Sequence, residues 1–341
     1  MNSYEKKINN LLLYWLTISL VLIFIIIIVG GLTRLTNSGL SITEWELFKG
    51  ILPPMNENSW KLYFNQYKKI PQYKLLNQDM SLVEFKIIFY WEYVHRIIAR
   101  IIGIIFLIPL IFFALSKKIN NQYIKICYLI FFMILFQGIL GWYMVQSGLI
   151  NDVTVSHYRL SAHLILAFII ISTIFWLIKN IKNKKNKIFF NLTNINKPFL
   201  ILICLIFTQI VFGAFVSGLD AGQIYQTWPL MGPTYFPNDI VIENIKNFIN
   251  FNNHSLVQFY HRGLAYLIVI YVLFLSFYIY KKNLKKLFKP LILVIIFLLL
   301  QITLGIFTLI SGLNIYLASA HQITSVLLVF SAINLYYLRA K

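Results

Sequence analysis

Eight long apolar runs dominate this chain, near residues 11–31, 87–115, 126–146, 160–178, 199–219, 258–280, 290–310 and 319–338. A bilayer core is crossed by about 20 apolar residues of helix. Lipid offers the backbone no hydrogen-bond partner, so such segments close their own bonds as helices. The pattern predicts an all-α membrane protein with eight transmembrane helices. Composition agrees: 12% of the 341 residues are charged, against about 25% in a soluble domain. Disorder is excluded by 29 Phe and 21 Tyr among long Ile/Leu runs. The first run is expected to be a retained span, since it is long for a signal-peptide core and no small-x-small site follows it. The two cysteines, Cys127 and Cys204, each fall inside an apolar run and read as small buried hydrophobes.

The net charge of +19 does not indicate a nucleic-acid surface, because the lysines lie in short clusters between the apolar runs. Lys6 and Lys7 precede the first run. Lys117, Lys118 and Lys125 fill one loop, and Lys179, Lys182, Lys184, Lys185, Lys187 and Lys197 the next. Lys281, Lys282, Lys285, Lys286 and Lys289 form a third cluster, and Arg339 and Lys341 end the chain. Together these are more than half of the 30 Lys and Arg, and the only acid on that side is Glu5. The positive-inside rule puts both termini in the cytoplasm. Loops 32–86, 147–159, 220–257 and 311–318 then face outward. The longest, 32–86, holds Pro53, Pro54, Pro71, Trp45, Trp60, Tyr63, Tyr67 and Tyr73. That composition suits a partly folded cap with short interfacial helices.

The two halves of the chain resemble each other. Gln137-Gly138-Ile139-Leu140-Gly141 aligns with Gln301-Ile302-Thr303-Leu304-Gly305, and Ser147-Gly148-Leu149 with Ser311-Gly312-Leu313. Gly30, Gly39 and Trp45 align with Gly213, Gly222 and Trp228, His95-Arg96 with His261-Arg262, and Ser161-Ala162-His163 with Ser319-Ala320-His321. An even number of helices per half gives two pseudo-symmetric four-helix bundles, residues 1–180 and 181–341. Small residues at repeated places allow close helix approach.

Six histidines are present. His157 and His254 are expected in outward loops. His95, His163, His261 and His321 lie within spans, one in each even-numbered helix and near its outer end. Ionisable groups within a membrane are costly and usually functional. A histidine pair on facing helices of a four-helix bundle can clamp a haem iron from both sides. The four therefore predict two bis-histidine haem sites, His95 with His163 and His261 with His321. A closed zinc site wants about four clustered ligands, and these pairs have no cysteine beside them.

Arg96 and Arg262 directly follow candidate ligands, and Arg159 lies one turn before His163. With Arg34 they are candidates to hold haem propionates through forked charge-assisted bonds. Snorkelling to the interface is the plainer account of each. Glu92 breaks the symmetry. It sits one turn before His95, and Gln258 holds the matching place before His261. A carboxylate in such an apolar stretch needs a cation, Arg96 or Arg34, or acts as an acid/base group beside one haem only.

These residues carry a resemblance. The chain is similar to the haem A synthase family from near residue 14 to 338. The matching motifs are the run from Gly30 to Trp45, Met80-Ser81-Leu82-Val83-Glu84-Phe85-Lys86, Glu92-Tyr93-Val94-His95-Arg96, Tyr158-Arg159-Leu160-Ser161-Ala162-His163, Gly218-Leu219-Asp220-Ala221-Gly222, Tyr260-His261-Arg262-Gly263 and Ala320-His321-Gln322. The absence of a loop cysteine pair places it nearest the proteobacterial and mitochondrial branch. It departs from that branch at Trp228-Pro229-Leu230-Met231-Gly232, where an acidic residue often follows the Met.

The resemblance implies oxidation of a methyl group of haem O to formyl, giving haem A for cytochrome c oxidase. It implies substrate haem O at His95 and His163 with Glu92 as the catalytic residue, and haem b at His261 and His321. It implies a multi-pass protein of the bacterial inner membrane, with haem O synthase and cytochrome c oxidase assembly factors as partners. Oligomeric state is left open, a homo-oligomer included.

Three other functions could draw on parts of this pattern. A dihaem b-type electron-transfer cytochrome would use four histidines but gives Glu92 no purpose. A haem farnesyltransferase needs aspartates to hold magnesium diphosphate, and the lysine-rich side has no Asp. A transporter could use the histidines as a proton relay, and would be haem-free when purified.

Overall fold

The protein is described by a computed structural model covering residues 3–44, 49–116, 119–150, 152–240 and 245–340. Trp45, Lys117, Lys118 and Lys341 lie outside the described residues. Among the described residues ten α-helices follow one another: α1 Ser3–Leu35, α2 Glu57–Tyr67, α3 Pro71–Leu76, α4 Leu82–Ser116, α5 Asn121–Ile150, α6 His157–Lys182, α7 Lys197–Gly218, α8 His254–Lys281, α9 Phe288–Ile310 and α10 Ile315–Arg339. Eight of them are long and apolar enough to cross a membrane; α2 and α3 are not. This is the all-α membrane architecture expected from the eight runs.

The helices overrun the apolar segments. The 35 residues of α4 span about 52 Å at 1.5 Å per residue, well beyond a hydrocarbon core of roughly 30 Å. Its start is fixed outside the apolar run by a capping box. The Ser81 N–H and hydroxyl both donate to Glu84 Oε2 at 2.8 Å, and the Glu84 N–H donates back to Ser81 Oγ at 3.3 Å. The side chains of Asn253 and Asn314 cap α8 and α10 in the same spirit, accepting from Leu256 N and Tyr316 N. His157 and His254 are accordingly the first residues of α6 and α8, not loop residues.

The side chains that face away from each unit are large and apolar. On α5, Leu129, Phe132, Phe136, Ile139 and Tyr143 form an exposed stripe. An apolar surface of this kind, carried by α1, α4, α5, α8 and α9, is a lipid-facing surface, far more than a soluble monomer exposes. Cys127 is fully buried as expected, whereas Cys204 is exposed. Position 204 is on the outer side of α7, whereas Leu202, Ile203 and Ile206 beside it are buried, so the apolar run serves both lipid and core.

The chain forms two compact units, Met1–Ile174 and Phe175–Lys341, with the boundary inside α6. In the first unit α2 and α3 supply the short helices expected in the long loop. They pack an aromatic cluster onto the start of α4: Trp60, Phe64 and Tyr67 meet Phe85 and Phe89, together with Leu40, Ile42 and Ile70. Phe64 stacks on Phe85 at 5.0 Å between ring centres, and Trp60 meets Phe89 edge-on at 5.0 Å. Burial of Tyr67 raises its phenol above the usual range; its hydroxyl donates to Gln72 Oε1 and accepts from Asn77. In the second unit the loop after α7 is braced by Asp239, which accepts from the Tyr225 hydroxyl at 2.7 Å and from Ser255 Oγ at 2.6 Å. Burial pushes the Asp239 carboxyl up, but the Ser255 and Tyr225 bonds outweigh it and hold the group low.

Candidate functional site

Each of the four span histidines lies against a glycine of the membrane-crossing helix that precedes its own. In the first unit, a Cβ built on Gly30 of α1 would stand 2.9 Å from His95 Cε1, and one on Gly141 of α5 would stand 3.1 Å from His163 Cε1. In the second unit the matching distances are 3.2 Å from Gly213 of α7 to His261 and 2.9 Å from Gly305 of α9 to His321. At Gly30 and Gly305 a Cβ would clash with the ring, and at Gly141 and Gly213 it would press on it. The rings share one orientation. Nδ1 is nearer the glycine than Nε2 in every case, while on the same helices the side-chain nitrogens of Gln301 and Gln209 stand 3.1 Å from His321 Nε2 and 3.5 Å from His261 Nε2.

His261 and His321 have ring centres 6.5 Å apart with planes at 77°. Two metal–imidazole bonds of about 2 Å on opposite sides of one metal set ring centres about 6.4 Å apart once the ring radii are included. The separation thus fits a single iron between them. In the first unit, His163 is among the groups that act electrostatically on His95. Nδ1 of His95 and of His163 are buried with no hydrogen-bond partner. Buried imidazoles beside glycine seats, each with Nε2 as its other ring nitrogen, suit a bis-histidine metal site. No cluster of three or more His, Cys, Asp or Glu capable of holding a bare metal ion exists among the described residues, so a porphyrin, with its own four nitrogens, suits two histidines per site.

Sequence reading missed three residues here. Gln137, Gln209 and Gln301 each stand one turn before a seat glycine. Each donates its side-chain N–H to the backbone carbonyl of the neighbouring histidine: Gln137 to His163 at 3.0 Å, Gln209 to His261 at 2.9 Å and Gln301 to His321 at 3.0 Å. The repeated Gln-x-x-x-Gly spacing was the available signal. Arg100, one turn beyond Arg96, was also missed; it lines a cleft with Arg96, Tyr93, Phe89, Tyr63 and Ile42.

Glu92 is 3% exposed and its carboxylate receives three donors. Arg96 Nη2 reaches Oε1 at 2.6 Å, while Ser41 Oγ and the Ile42 N–H reach Oε2 at 2.7 and 2.9 Å. The cation it needs is therefore Arg96. Gln258 is equally buried and donates to Tyr225 O at 2.9 Å. Ile42 and Tyr225 correspond under the same offset that aligns Gly30 with Gly213. Glu92 and Gln258 thus pin equivalent loop positions with opposite hydrogen-bond polarity.

The four arginines are also placed. Arg96 donates to Ile42 O at 3.0 Å, and Arg262 to Tyr225 O at 2.9 Å and Leu230 O at 3.2 Å. Both use part of the guanidinium fork on the loop that follows the preceding span. Arg34 donates to Asn37 Oδ1 at 2.8 Å. Arg159 donates to Tyr143 O at 2.7 Å and lies 3.8 Å over the Tyr143 ring.

The COX15-CtaA family, described as cytochrome oxidase assembly protein, matches residues 13–333. The chain belongs to this family. Its relatives include a haem A synthase of Pelagibacter ubique (strain HTCC1062), 50% identical over 320 residues and 93% of each chain. A haem A synthase of Rickettsia felis is 39% identical over 334 residues, 97% of this chain and 98% of its own. Another from Flavobacterium johnsoniae is 41% identical over 328 residues, 93% of this chain and 94% of its own.

The glycine seats give a direct test of the donor set in this COX15-CtaA chain. Gly305→Ala should keep the helix, since Ala is favoured over Gly by about 1 kcal/mol in a helix interior. Its Cβ must instead push the His321 ring off its seat. The expected result is normal helicity by circular dichroism with a reduced haem-to-protein ratio. An unchanged haem content would show that the seat does not orient the ring.

Proposed function

We propose that the N-terminal half, residues 1–180, binds substrate haem O through His95 and His163, and that the C-terminal half, residues 181–341, holds haem b through His261 and His321. The chain is an oxidoreductase of haem A biosynthesis that oxidises a methyl group of haem O to formyl. The observation that supports giving the substrate to the first half is Glu92: the second half carries neutral Gln258 in its place. A dihaem electron carrier is not favoured by the relatives.

The histidines would hold each iron by Nε2, the nitrogen farther from the glycine seat. Haem b, when bound, supplies one-electron transfer. The chain's own part begins with position. Two histidines would fix where the porphyrin centre lies, and arginines holding its propionates would set its rotation relative to Glu92. With three donors on its two oxygens, the Glu92 carboxylate can serve as a fixed negative charge, preorganised for positive charge developing on the methyl carbon. The aromatic cluster of α2, α3 and α4 excludes water from that end of the first unit. Arg34, Arg96, Arg159 and Arg262 are the candidates for propionates, with Arg96 and Arg262 sharing their forks with loop carbonyls.

The lysine clusters support an inner-membrane protein with both termini cytoplasmic, both haem sites then lying toward the outer face. Haem O synthase and cytochrome c oxidase assembly factors are the partners this reaction asks for.

The test is expression in a bacterial host that makes haem O but lacks this activity. Haem A should appear in membrane extracts, identified by chromatography and mass. Haem O alone, beside abundant folded protein, would refute the assignment.

A further inference from the structure

The four histidines are not held equally. His321 is the most constrained. Its Nδ1 faces Gln301 O at 3.0 Å, the Gln301 side chain donates to its backbone carbonyl at 3.0 Å, and Gln301 Oε1 in turn accepts from Thr324 at 2.6 Å. A ligating imidazole commonly donates its other N–H to such an acceptor, which fixes tautomer and ring direction. His261 has the Gln209 side chain on its carbonyl at 2.9 Å and beside its ring at 3.2 Å from Nδ1. His163 has the Gln137 bond to its carbonyl at 3.0 Å and an unpartnered Nδ1. His95 has its glycine seat, an unpartnered Nδ1, and no glutamine: one turn before Gly30 stands Ile26.

We propose that Gln137, Gln209 and Gln301 are positioning residues for the histidine ligands, and that Ile26, in the fourth copy of their place, makes His95 the loosest ligand and the first unit the one that exchanges its haem. This rests on the reading of the histidines as haem ligands. An amide bridging two apolar helices sets the rotation and height of the histidine helix against its neighbour, and inside a membrane no water competes for that bond. With both ligands bridged, the second unit is built to retain its haem. With one ligand bridged, the first unit can let substrate enter and product leave, which a synthase must do at each turnover.

The experiment uses the detergent-purified holoprotein and excess apomyoglobin as haem acceptor. Loss of each haem is timed by extraction, chromatography and mass, and the ferric low-spin signals are recorded by electron paramagnetic resonance. In the wild type the haem of the first unit should leave faster. Gln301→Met, close in shape but unable to donate, should speed loss from the second unit roughly tenfold or more, the usual scale for losing such a partner. It should also move that haem's low-spin g-values, which a remote packing defect would not. Ile26→Gln should slow loss from the first unit by about the same factor, and it stays informative if Gln301→Met fails to fold. Equal wild-type rates, or rates and g-values unmoved in both variants, would overturn the positioning role alone. A wild-type protein that carries no haem would instead sink the ligand reading beneath it.

Discussion

His321→Ala is expected to remove one haem per chain and leave the spans inserted. Insertion depends on the apolar runs, which the change does not touch. The ligand set does depend on it: His261 and His321 stand 6.5 Å apart between ring centres, a separation that fits a shared iron. With one imidazole gone, Gln301 loses the ring it faces, and His261 alone is too weak a hold to keep the haem through purification. His261→Ala should have the same outcome, whereas His163→Ala should lose the other haem. Pyridine haemochrome quantitation with chromatographic identification separates the cases. Because haem b would be the electron route, His321→Ala should also abolish haem A output while haem O still binds. Retention of two six-coordinate haems in His321→Ala would refute the pairing.

The spans were legible because lipid-crossing helices need long apolar runs, and nothing else in a chain looks like that. Their ends were not. Ser81 and Glu84 start α4 five residues before its apolar run, by a local capping signal that hydropathy does not register. The histidines stood out because ionisable groups in apolar runs are rare. The glycines opposite them were visible only as small residues in a repeat; that each seats a ring is a contact between helices. Gln209 carried even less signal. Its partner is a backbone carbonyl on another helix, present at every residue and so invisible in sequence. The same holds for the arginines: the loop carbonyls that Arg96 and Arg262 reach are set by how the loop folds back, not by spacing along the chain.

Glu92→Gln is expected to abolish formyl production while both haems and the fold remain. The structure sharpens this test. Because Gln258 pins its loop in the second unit as Glu92 does in the first, a glutamine at position 92 can still accept from Ser41 and Ile42 through its one carbonyl oxygen. What it cannot do is accept from Arg96, which now meets an amide N–H. The variant therefore removes charge and keeps most of the pin. Removing one preorganised electrostatic group from an active site commonly costs about 10²–10³ in rate, enough to lose haem A and leave hydroxylated haem in extracts. Arg96→Leu gives the contrast. It strands a carboxylate that is 4% exposed in its side chain, and breaking a buried pair in this way costs roughly 3–5 kcal/mol, so it should lower thermal stability far more than Glu92→Gln. Full haem A output from Glu92→Gln would remove the carboxylate from the chemistry. Loss of fold and haem in Glu92→Gln, to the same degree as in Arg96→Leu, would make the pair a structural clasp of the loop after α1.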